Sequence, residues 1–569
     1  MDPEIRRPNI ILILADDLGF SDIGAYGAEI ETPNLDRLAR GGLLFSQFYN
    51  CARCCPTRAS LLTGLYPHRA GVGHMVVNMG VPEYQGFLND RCVTLAEVLG
   101  DSGYRTLMAG KWHVGGEQGN LPPDWAPDIP GYPTPLGRGF DRFYGILSGG
   151  GSYFNPNMLM DGDTRIAVET SDYHLTDAIS DRAAQYVEDA SHRDEPFFLY
   201  LPYTAPHWPL HALPEDIERY RGRYDRGWDA LRRERCERIR ETDILGQDFD
   251  LSPREQSVPD WSEAGDQAWR DLQMAVYAAQ VHQMDRGIGR VLDVLDRQGI
   301  FDDTVIIFMS DNGGCAEFLH EDGDLPEPTR YARPTVDGRV VRVGNAPDVV
   351  PGPPDSFASI DVAWANASNT PFRLFKRYTH EGGIATPCIV HWGHSGVSPG
   401  IVREPTHVID VLPTLLELAG GSYPSTRGGH DIQSVDGESF ASVFDGGEWS
   451  RDHPIFWEHE GNRAVRLGDW KLVSEIADPT DASSRAVWEL YQMAEDRTEL
   501  QDRVSTEKET ADALILLYNE WAARCGVRSW PLEGAPIPAG MDVHTRHNHI
   551  FVVPDVRLGP KRMPAPGSP

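Results

Sequence analysis

Residues 9–17 read Asn-Ile-Ile-Leu-Ile-Leu-Ala-Asp-Asp. The apolar part of this segment, from Ile10 to Ala15, does not alternate with polar residues as a strand with one face in water would. It therefore predicts a strand that is buried on both faces, which is typical of parallel sheets covered by helices. Asp16 and Asp17 follow directly, so we expect two carboxylates at the carboxyl end of this strand.

Further strands and helices alternate along the chain. Thr32-Pro33 favours a helix start, because proline suits the first helical position, and Gly41-Gly42 favours its end. More buried strands are predicted over 106–109, 197–201 and 305–309, and more helices over 93–99 and 268–297. This alternation predicts an α/β fold with a large, mostly parallel, doubly wound sheet flanked by helices, which binds ligands at the carboxyl ends of its strands.

The pattern changes after about residue 425. Short alternating segments predict a smaller antiparallel sheet over 455–457, 464–467 and 470–473, with a helix over 511–524 packed on it. We therefore expect a large α/β domain over residues 1–425, a C-terminal α+β subdomain over 426–540 and a tail over 541–569.

Two segments have no clear period. Residues 208–266 are rich in Arg, Glu and Asp, which predicts a solvated helical excursion. Residues 313–370 contain many Pro, Gly and Asp residues. A loop of that length inside a compact fold is usually functional, so we expect this segment to form a wall of the site.

The composition excludes several classes of protein. Of the 569 residues, 40% are hydrophobic and 24% are charged, as in globular proteins. The net charge of −33 disfavours nucleic acid as a partner, because binding to phosphates needs clustered basic residues. The longest apolar run, Ile10 to Ala15, is far shorter than the roughly 20 residues of a membrane helix, so no membrane association is expected.

Location and assembly are less constrained. The residues before Asn9 include no apolar signal-peptide core, which favours a cytoplasmic protein, although a periplasmic protein whose leader had been removed would look the same. Eight cysteines in a chain of this length do not indicate a disulfide framework. A homo-oligomer formed through the tail is left open.

The most specific motif lies over residues 54–64 and reads Cys-Cys-Pro-Thr-Arg-Ala-Ser-Leu-Leu-Thr-Gly. It resembles the C-x-P-x-R-x-x-x-x-T-G signature of the type I, formylglycine-dependent sulfatase family. Only Cys54 has the required Pro and Arg downstream, whereas Cys51 and Cys55 do not, and Thr57 keeps the hydroxyl that the family often supplies with serine. The alternative is a Cys-rich turn or a zinc knuckle, which would need more distant Cys or His ligands.

Two acidic pairs extend the resemblance. Asp16-Asp17 and Asp311-Asn312 each follow a predicted strand and are similar to the four metal ligands of the family. Three carboxylates and one amide oxygen suit Ca²⁺ or Mg²⁺ rather than Zn²⁺. The resemblance implies one Ca²⁺ per chain, with Mg²⁺ less favoured and with the modified Cys54 as a further ligand.

Three other segments match the family in order: Gly110-Lys111-Trp112-His113, Ala205-Pro206-His207, and Lys376 shortly before Glu381-Gly382-Gly383. The resemblance implies a role for each matching residue. Cys54, oxidised to formylglycine by a maturation enzyme, is the nucleophile, and Arg58 orients it. His113 is the base for the second hydroxyl of the hydrated aldehyde, and His207 is the acid for the leaving oxygen. Lys111 and Lys376 hold the sulfate oxygens.

The resemblance implies the alkaline-phosphatase-like fold and the hydrolysis of small sulfate monoesters. Aryl sulfates are favoured as substrates, because segments 9–113 and 199–232 resemble bacterial arylsulfatases. One alternative is a phosphonate or phosphate ester hydrolase of the same superfamily, which typically has Asp-His where this chain has Asp311-Asn312. Another is a catalytically silent protein that binds sulfate esters, if Cys54 remains unmodified.

Overall fold

The computed structural model describes residues 7–117, 131–246, 248–319, 332–476, 487–532 and 551–552. The predicted tail over 541–569 therefore lies outside the described residues, apart from a two-residue strand. The helices are α1 (Pro33–Gly41), α2 (Cys54–Thr63), α3 (Pro67–Ala70), α4 (Leu95–Asp101), α5 (Leu175–Ser191), α6 (Pro214–Tyr220), α7 (Gly227–Thr242), α8 (Gln267–Gln298), α9 (Asp361–Ser368), α10 (Glu381–Ile384), α11 (Val411–Leu418) and α12 (Lys508–Cys525).

The strands form one large sheet and several small ones. They are β1 (Asn9–Ala15), β2 (Leu43–Phe45), β3 (Phe48–Tyr49), β4 (Arg105–Lys111), β5 (Arg142–Ile146), β6 (Leu159–Asp161), β7 (Thr164–Arg165), β8 (Phe197–Pro202), β9 (Thr304–Ser310), β10 (Phe318–Leu319), β11 (Arg342–Val343), β12 (Ser356–Phe357), β13 (Cys388–His391), β14 (Gly400–Val402), β15 (Thr406–His407), β16 (Thr426–Arg427), β17 (His430–Asp431), β18 (Ile455–His459), β19 (Asn462–Leu467), β20 (Trp470–Glu475), β21 (Val487–Gln492) and β22 (Phe551–Val552).

The large sheet has ten strands in the order β14-β2-β13-β9-β1-β8-β4-β5-β6-β7. Its five central strands β9, β1, β8, β4 and β5 are parallel to one another. Antiparallel pairing appears only toward the edges, where β13 runs against β9 and β2, and β6 runs against β5. The predicted mostly parallel sheet is confirmed.

Strand β1 is buried on both faces. Ile11 and Ile13 belong to the hydrophobic core that contains apolar residues of α5 and α8. Leu12 and Leu14 belong to a second core, with residues of α2, α4 and α11. Successive side chains of a strand point to opposite faces, so helices on both sides explain why this segment does not alternate with polar residues.

The C-terminal region contains the second predicted sheet. Strands β18, β19, β20 and β21 form a four-stranded antiparallel sheet, and α12 packs on it. Its core joins Phe456, Leu472 and Trp521 to Tyr66 and Ile409, which precede residue 425. The predicted domain boundaries stay predictions, because the two parts share this core.

The charged segment 208–266 corrects one expectation. It contains helices α6 and α7, as predicted, but it is not uniformly solvated. Arg235 is fully buried, with ion pairs of 2.6 Å to Asp22 and 2.8 Å to Glu29. Arg235 can be charged and still buried because Asp22 and Glu29 supply the opposite charge.

No helix in the described ranges is long and apolar enough to cross a membrane. The eight cysteines all lie within the described residues, and all are buried free thiols.

Candidate active site

The carboxyl edge of the large sheet brings the two acidic pairs together. Asp16 and Asp17 follow β1, Asp311 and Asn312 follow β9, and these two strands are parallel neighbours with Ala15 opposite Ser310. The four side chains are almost completely buried. The backbone N–H of Asp17 donates to Asp311 Oδ1 at 3.2 Å, and Asn312 Nδ2 donates to Asp17 Oδ1 at 2.7 Å.

Two oxygens of this group lack a hydrogen-bond donor within the part of the chain that the structure describes. Asp16 Oδ1 and Asn312 Oδ1 are buried and accept no hydrogen bond from the described residues. A buried polar atom without a partner costs about 1–3 kcal/mol, so a ligand is expected where two such oxygens occur together. Hard cations such as Ca²⁺ and Mg²⁺ prefer carboxylate and amide oxygens. The residues therefore fit the predicted metal site.

Each carboxylate also lies close to a cationic side chain. Lys111 Nζ lies 2.5 Å from Asp16 Oδ2, and Arg58 NH2 lies 2.8 Å from Asp311 Oδ2. Lys376 Nζ lies 2.7 Å from the third carboxylate, at Oδ1 of Asp17. All these side chains are buried, so the charges interact with little screening by water.

The three carboxylates have different affinities for protons. Burial raises the pKa of Asp311 to about 8, with a further contribution from the charge of Asp16. Burial also raises the pKa of Asp16 to about 6, against the opposing charge of Lys111. Burial acts on Asp17 in the same direction, but Lys376 and His207 outweigh it and lower the pKa to about 2. Crowded carboxylates of this kind favour a bound cation.

Cys54 is the first residue of α2 and is buried. Its sulfur, the sulfur of Cys55 and a ring nitrogen of His113 all lie within 4.8 Å of one another. A hydrogen bond with the Cys55 thiol lowers the pKa of Cys54 well below its usual value, and the charges of Lys111 and other cations act in the same direction. A helix N-terminus surrounded by cations suits a reactive group of negative charge.

Two histidines lie beside this edge. Burial lowers the pKa of His113 and of His207 to about 4. His207 Nδ1 lies 2.6 Å from the carbonyl oxygen of Trp208, which can only accept, so Nδ1 carries the proton. His207 Nε2 lies 3.6 Å from Asp17 Oδ2. His113 Nε2 lies 3.3 Å from the Cys55 sulfur.

All the predicted catalytic and metal-binding residues are thus assembled at one edge of the sheet. They are Asp16, Asp17, Cys54, Arg58, Lys111, His113, His207, Asp311, Asn312 and Lys376. Their individual roles stay predictions, because proximity alone does not assign a role.

The sequence analysis missed one acidic residue near this site. Glu317 accepts a hydrogen bond from Trp208 Nε1 at 2.8 Å and pairs with Arg53, the residue before Cys54, at 2.8 Å. It lies in the segment 313–370, so part of that segment contacts the site. Glu317 lies in no recognisable motif. The one signal in the sequence was its position, shortly after Asp311-Asn312 in the segment expected to form a wall of the site.

A glycine loop is the second feature that was missed. A Cβ atom on Gly149 would lie 2.4 Å from the ring of His113, and one on Gly150 would lie 3.1 Å from the ring of His207. The run Gly149-Gly150-Gly151 was visible in the sequence. It lets the backbone approach both imidazoles closely, which any larger residue at 149 would prevent.

A mostly parallel mixed sheet flanked by helices, with buried acidic and basic side chains at its carboxyl edge, places the protein among α/β enzymes of the alkaline-phosphatase-like fold. The family model described as Sulfatase matches residues 8–422. The chain belongs to the sulfatase family, and it is accordingly a sulfuric ester hydrolase.

Relatives agree over most of the chain. A protein of Schizosaccharomyces pombe described as an uncharacterised sulfatase is 32% identical over 96% of this chain and 99% of its own length. An arylsulfatase of Klebsiella aerogenes is 34% identical over 73% of this chain and 87% of its own length. The solved structure of Ps i-CgsB in complex with k-i-k-neocarrahexaose is similar with a TM-score of 0.62 and 25% identity, over 91% of this chain and 93% of that one.

Proposed function

We propose that this enzyme hydrolyses aryl sulfate monoesters, with Cys54 converted to formylglycine as the nucleophile and with one Ca²⁺ bound by Asp16, Asp17, Asp311 and Asn312. The observation that carries the proposal is the position of Cys54, buried at the start of α2 beside Lys111, His113 and Lys376. No other cysteine among the eight has this cationic environment together with the Pro and Arg of the motif.

The chain's own cations bind the sulfate group. Lys111 and Lys376 would each direct an ammonium group at the sulfate oxygens, since charge-assisted hydrogen bonds bind anions most strongly. Their present partners are Asp16 and Asp17. When bound, Ca²⁺ would withdraw electron density from the S–O bonds and acidify the attacking hydroxyl.

The two histidines supply proton transfer. The hydrated aldehyde offers two hydroxyl groups on one carbon, one to attack sulfur and one to release sulfate afterwards. His113 accepts a proton from the second hydroxyl, because its buried ring is uncharged near neutral pH and lies beside residue 54. His207 would be the acid for the leaving oxygen, through Nε2, because Nδ1 is held by the Trp208 carbonyl. Nε2 can donate only after the ring has taken up a second proton, and the negative charge of a bound sulfate ester would favour that charged form.

Similarity to the arylsulfatase of Klebsiella aerogenes supports an aryl leaving group. Trp208 could contact such a ring, because it packs against His207 with ring centroids 4.3 Å apart. Ps i-CgsB, whose structure is similar to this chain, was solved in complex with k-i-k-neocarrahexaose. Sugar sulfates are therefore the second class of substrate to test. Phosphate and phosphonate esters are disfavoured by Asn312, which stands where that group of enzymes typically has histidine.

The first experiment measures the modification of Cys54. The protein is produced together with a formylglycine-generating maturation enzyme, which is the partner that the proposal requires. The mass of the peptide that contains residues 54–58 is then measured by mass spectrometry. Conversion to formylglycine makes this peptide about 18 Da lighter. We expect aryl sulfate turnover to rise in proportion to the lighter fraction.

Two variants make the result specific. Cys54→Ala should remove both the mass change and the turnover, whereas Cys55→Ala should retain both, because only Cys54 has the motif spacing. Turnover at the full rate by protein that contains only unmodified Cys54 would overturn the nucleophile assignment. A panel of aryl sulfate, sugar sulfate, aryl phosphate and aryl phosphonate then identifies the ester class by kcat/KM.

A further inference from the structure

A second group of metal-ligating side chains lies at the turn between β18 and β19. His459 ends β18, Glu460 occupies the turn, and His74 comes from a loop of the large domain that follows α3. All three are buried, and one ligand atom from each lies within 4.8 Å of the others. His74 Nε2 is 2.8 Å from Glu460 Oε1, and His459 Nε2 is 3.8 Å from the same oxygen.

His459 is the unusual member of this group. Its side chain is fully buried, yet neither ring nitrogen has a hydrogen-bond partner among the described residues. A neutral imidazole always offers one donor and one acceptor, and buried groups of this kind normally find partners. Nδ1 of His74 also has no partner there. Within this group of three side chains, the polar atoms that lack hydrogen-bond partners among the described residues therefore belong to the two neighbouring imidazoles.

We propose that His74, His459 and Glu460 bind a zinc ion, or a related transition-metal ion, at a site separate from the sulfate-ester site. Two imidazoles and one carboxylate form a known type of tetrahedral Zn²⁺ donor set, with a water molecule as the fourth ligand. This donor set contrasts with the carboxyl edge, where carboxylate and amide oxygens favour Ca²⁺ or Mg²⁺.

The neighbouring side chains leave one oxygen of the Glu460 carboxylate for the proposed zinc ion. Arg377 Nε lies 2.6 Å from Glu460 Oε2, so Oε1 is the oxygen that faces the histidines. The positive charges of Arg377 and Arg53 oppose a cation at this position, and the carboxylate of Glu460 offsets part of that repulsion. The imidazoles of His74 and His459 are nearly parallel, at 14°, with centroids 5.5 Å apart, and Trp530 packs on His74.

An ion at this position would link two parts of the chain. His74 lies in the large α/β domain, whereas the other two ligands lie in the small antiparallel sheet. Arg377, the partner of Glu460, follows Lys376 directly and donates its backbone N–H to the carbonyl of Ala52 at 2.8 Å. Metal binding to the folded state stabilises it, so zinc should raise the melting temperature of the full-length protein.

The test locates zinc directly. Full-length protein is stripped with a chelator, loaded with Ca²⁺ and then with ZnCl₂, and passed through a desalting column. We expect about one retained zinc per chain, in line with one His₂Glu site, and an anomalous diffraction peak between His74, His459 and Glu460 at the zinc absorption edge. A peak only at the carboxyl edge, or no peak, overturns the proposal.

Matched variants separate the two sites. His459→Ala should lose the retained zinc, whereas Asp311→Asn, which alters the carboxyl edge, should keep it. If His459→Ala does not fold, His74→Gln provides a second variant, because His74 lies in a loop, and the anomalous map of the unaltered protein decides in either case. Zinc retention and its position do not depend on turnover, so they test this site independently of the proposed function.

Discussion

Two groups of charged side chains are buried: the acidic residues at the carboxyl edge of the large sheet and the residues around Glu381. Among the described residues, only the second group has a hydrogen-bond donor for every carboxylate oxygen. We define the Glu381 cluster as Glu381, Lys471, Arg497 and Glu499. Lys471 Nζ lies 2.8 Å from both Glu381 Oε1 and Glu499 Oε1. Arg497 donates to Glu381 Oε2 at 2.8 Å, and the backbone N–H of Glu381 donates to Glu499 Oε2 at 3.0 Å.

The difference separates a structural group from a ligand site. In the Glu381 cluster the chain itself supplies a donor to every carboxylate oxygen, so substitutions there should affect folding rather than chemistry. At the carboxyl edge, Asp16 Oδ1 and Asn312 Oδ1 have no donor among the described residues. The proposed metal ion would supply the missing partner at that edge, so changes there should affect catalysis more than folding. Four predictions test this contrast.

Removal of the metal should have the largest effect. Treatment with a chelator selective for Ca²⁺ should lower kcat/KM for an aryl sulfate by on the order of 10⁴-fold, because a bound dication contributes several kcal/mol to the stabilisation of charge in the transition state. Added Ca²⁺ alone should restore the rate. An unchanged rate in fully stripped protein would show that the carboxyl edge works without a cation.

Lys471→Met should have the next largest effect, on stability. It leaves Glu381 and Glu499 buried without their shared cation, which should lower the free energy of unfolding by about 3–5 kcal/mol in urea denaturation. The matched control is Lys508→Met, because Lys508 is exposed at the start of α12. The folded fraction of Lys471→Met should keep its kcat/KM. Loss of turnover without loss of stability would contradict the contrast.

Asp311→Asn should show the opposite pattern. We expect kcat/KM to fall by about a hundredfold, since the position and charge of a metal ligand are lost, while the free energy of unfolding changes by about 1 kcal/mol or less. Stability is largely retained because the amide oxygen can still accept from Arg58. Asp296→Asn, a change to an exposed carboxylate, provides the control for both measurements.

The smallest effect concerns acid stability. Burial raises the pKa of Glu381, but the charges of Lys471, Arg497 and Arg466 outweigh it and lower the pKa to about 2 from the ordinary 4.5. A carboxylate whose pKa is lowered by folding stabilises the fold fully at pH values above its ordinary pKa of 4.5. That stabilisation is lost as the pH falls from about 4.5 towards the folded-state pKa of about 2. Lys471→Met raises the pKa of Glu381, so its urea midpoint should fall less steeply over that range than that of the unaltered protein. Parallel slopes would contradict the pairing.

The sequence supported most of the fold and the main site. The apolar run before Asp16 predicted a strand buried on both faces, and the motif at Cys54 identified the nucleophile candidate. Both rest on residues that are close in the sequence, where strand period and motif spacing act. The helix α8 was predicted over 268–297 and is observed over Gln267–Gln298 for the same reason.

The errors and omissions involve distant partners. Residues 208–266 were predicted to be solvated because they are charged, yet Arg235 is buried against Asp22 and Glu29, which are separated from it by 213 and 206 residues. Likewise, His74 and Glu460 are 386 residues apart and show no local pattern. Charge alone therefore predicts exposure incorrectly wherever a distant partner supplies the opposite charge.

Local patterns were sufficient to predict the parallel sheet, the Cys54 motif and the meeting of the two acidic pairs, because strand ends in one parallel sheet meet at a common edge. The tertiary structure was needed to show which of these buried groups have hydrogen-bond partners among the described residues, and which have oxygens or ring nitrogens without one. Lys471 meets Glu381 across 90 residues of sequence. Pairing of that kind depends on packing between elements. It distinguishes the Glu381 cluster from the carboxyl edge, where Asp16 Oδ1 and Asn312 Oδ1 have no donor among the described residues.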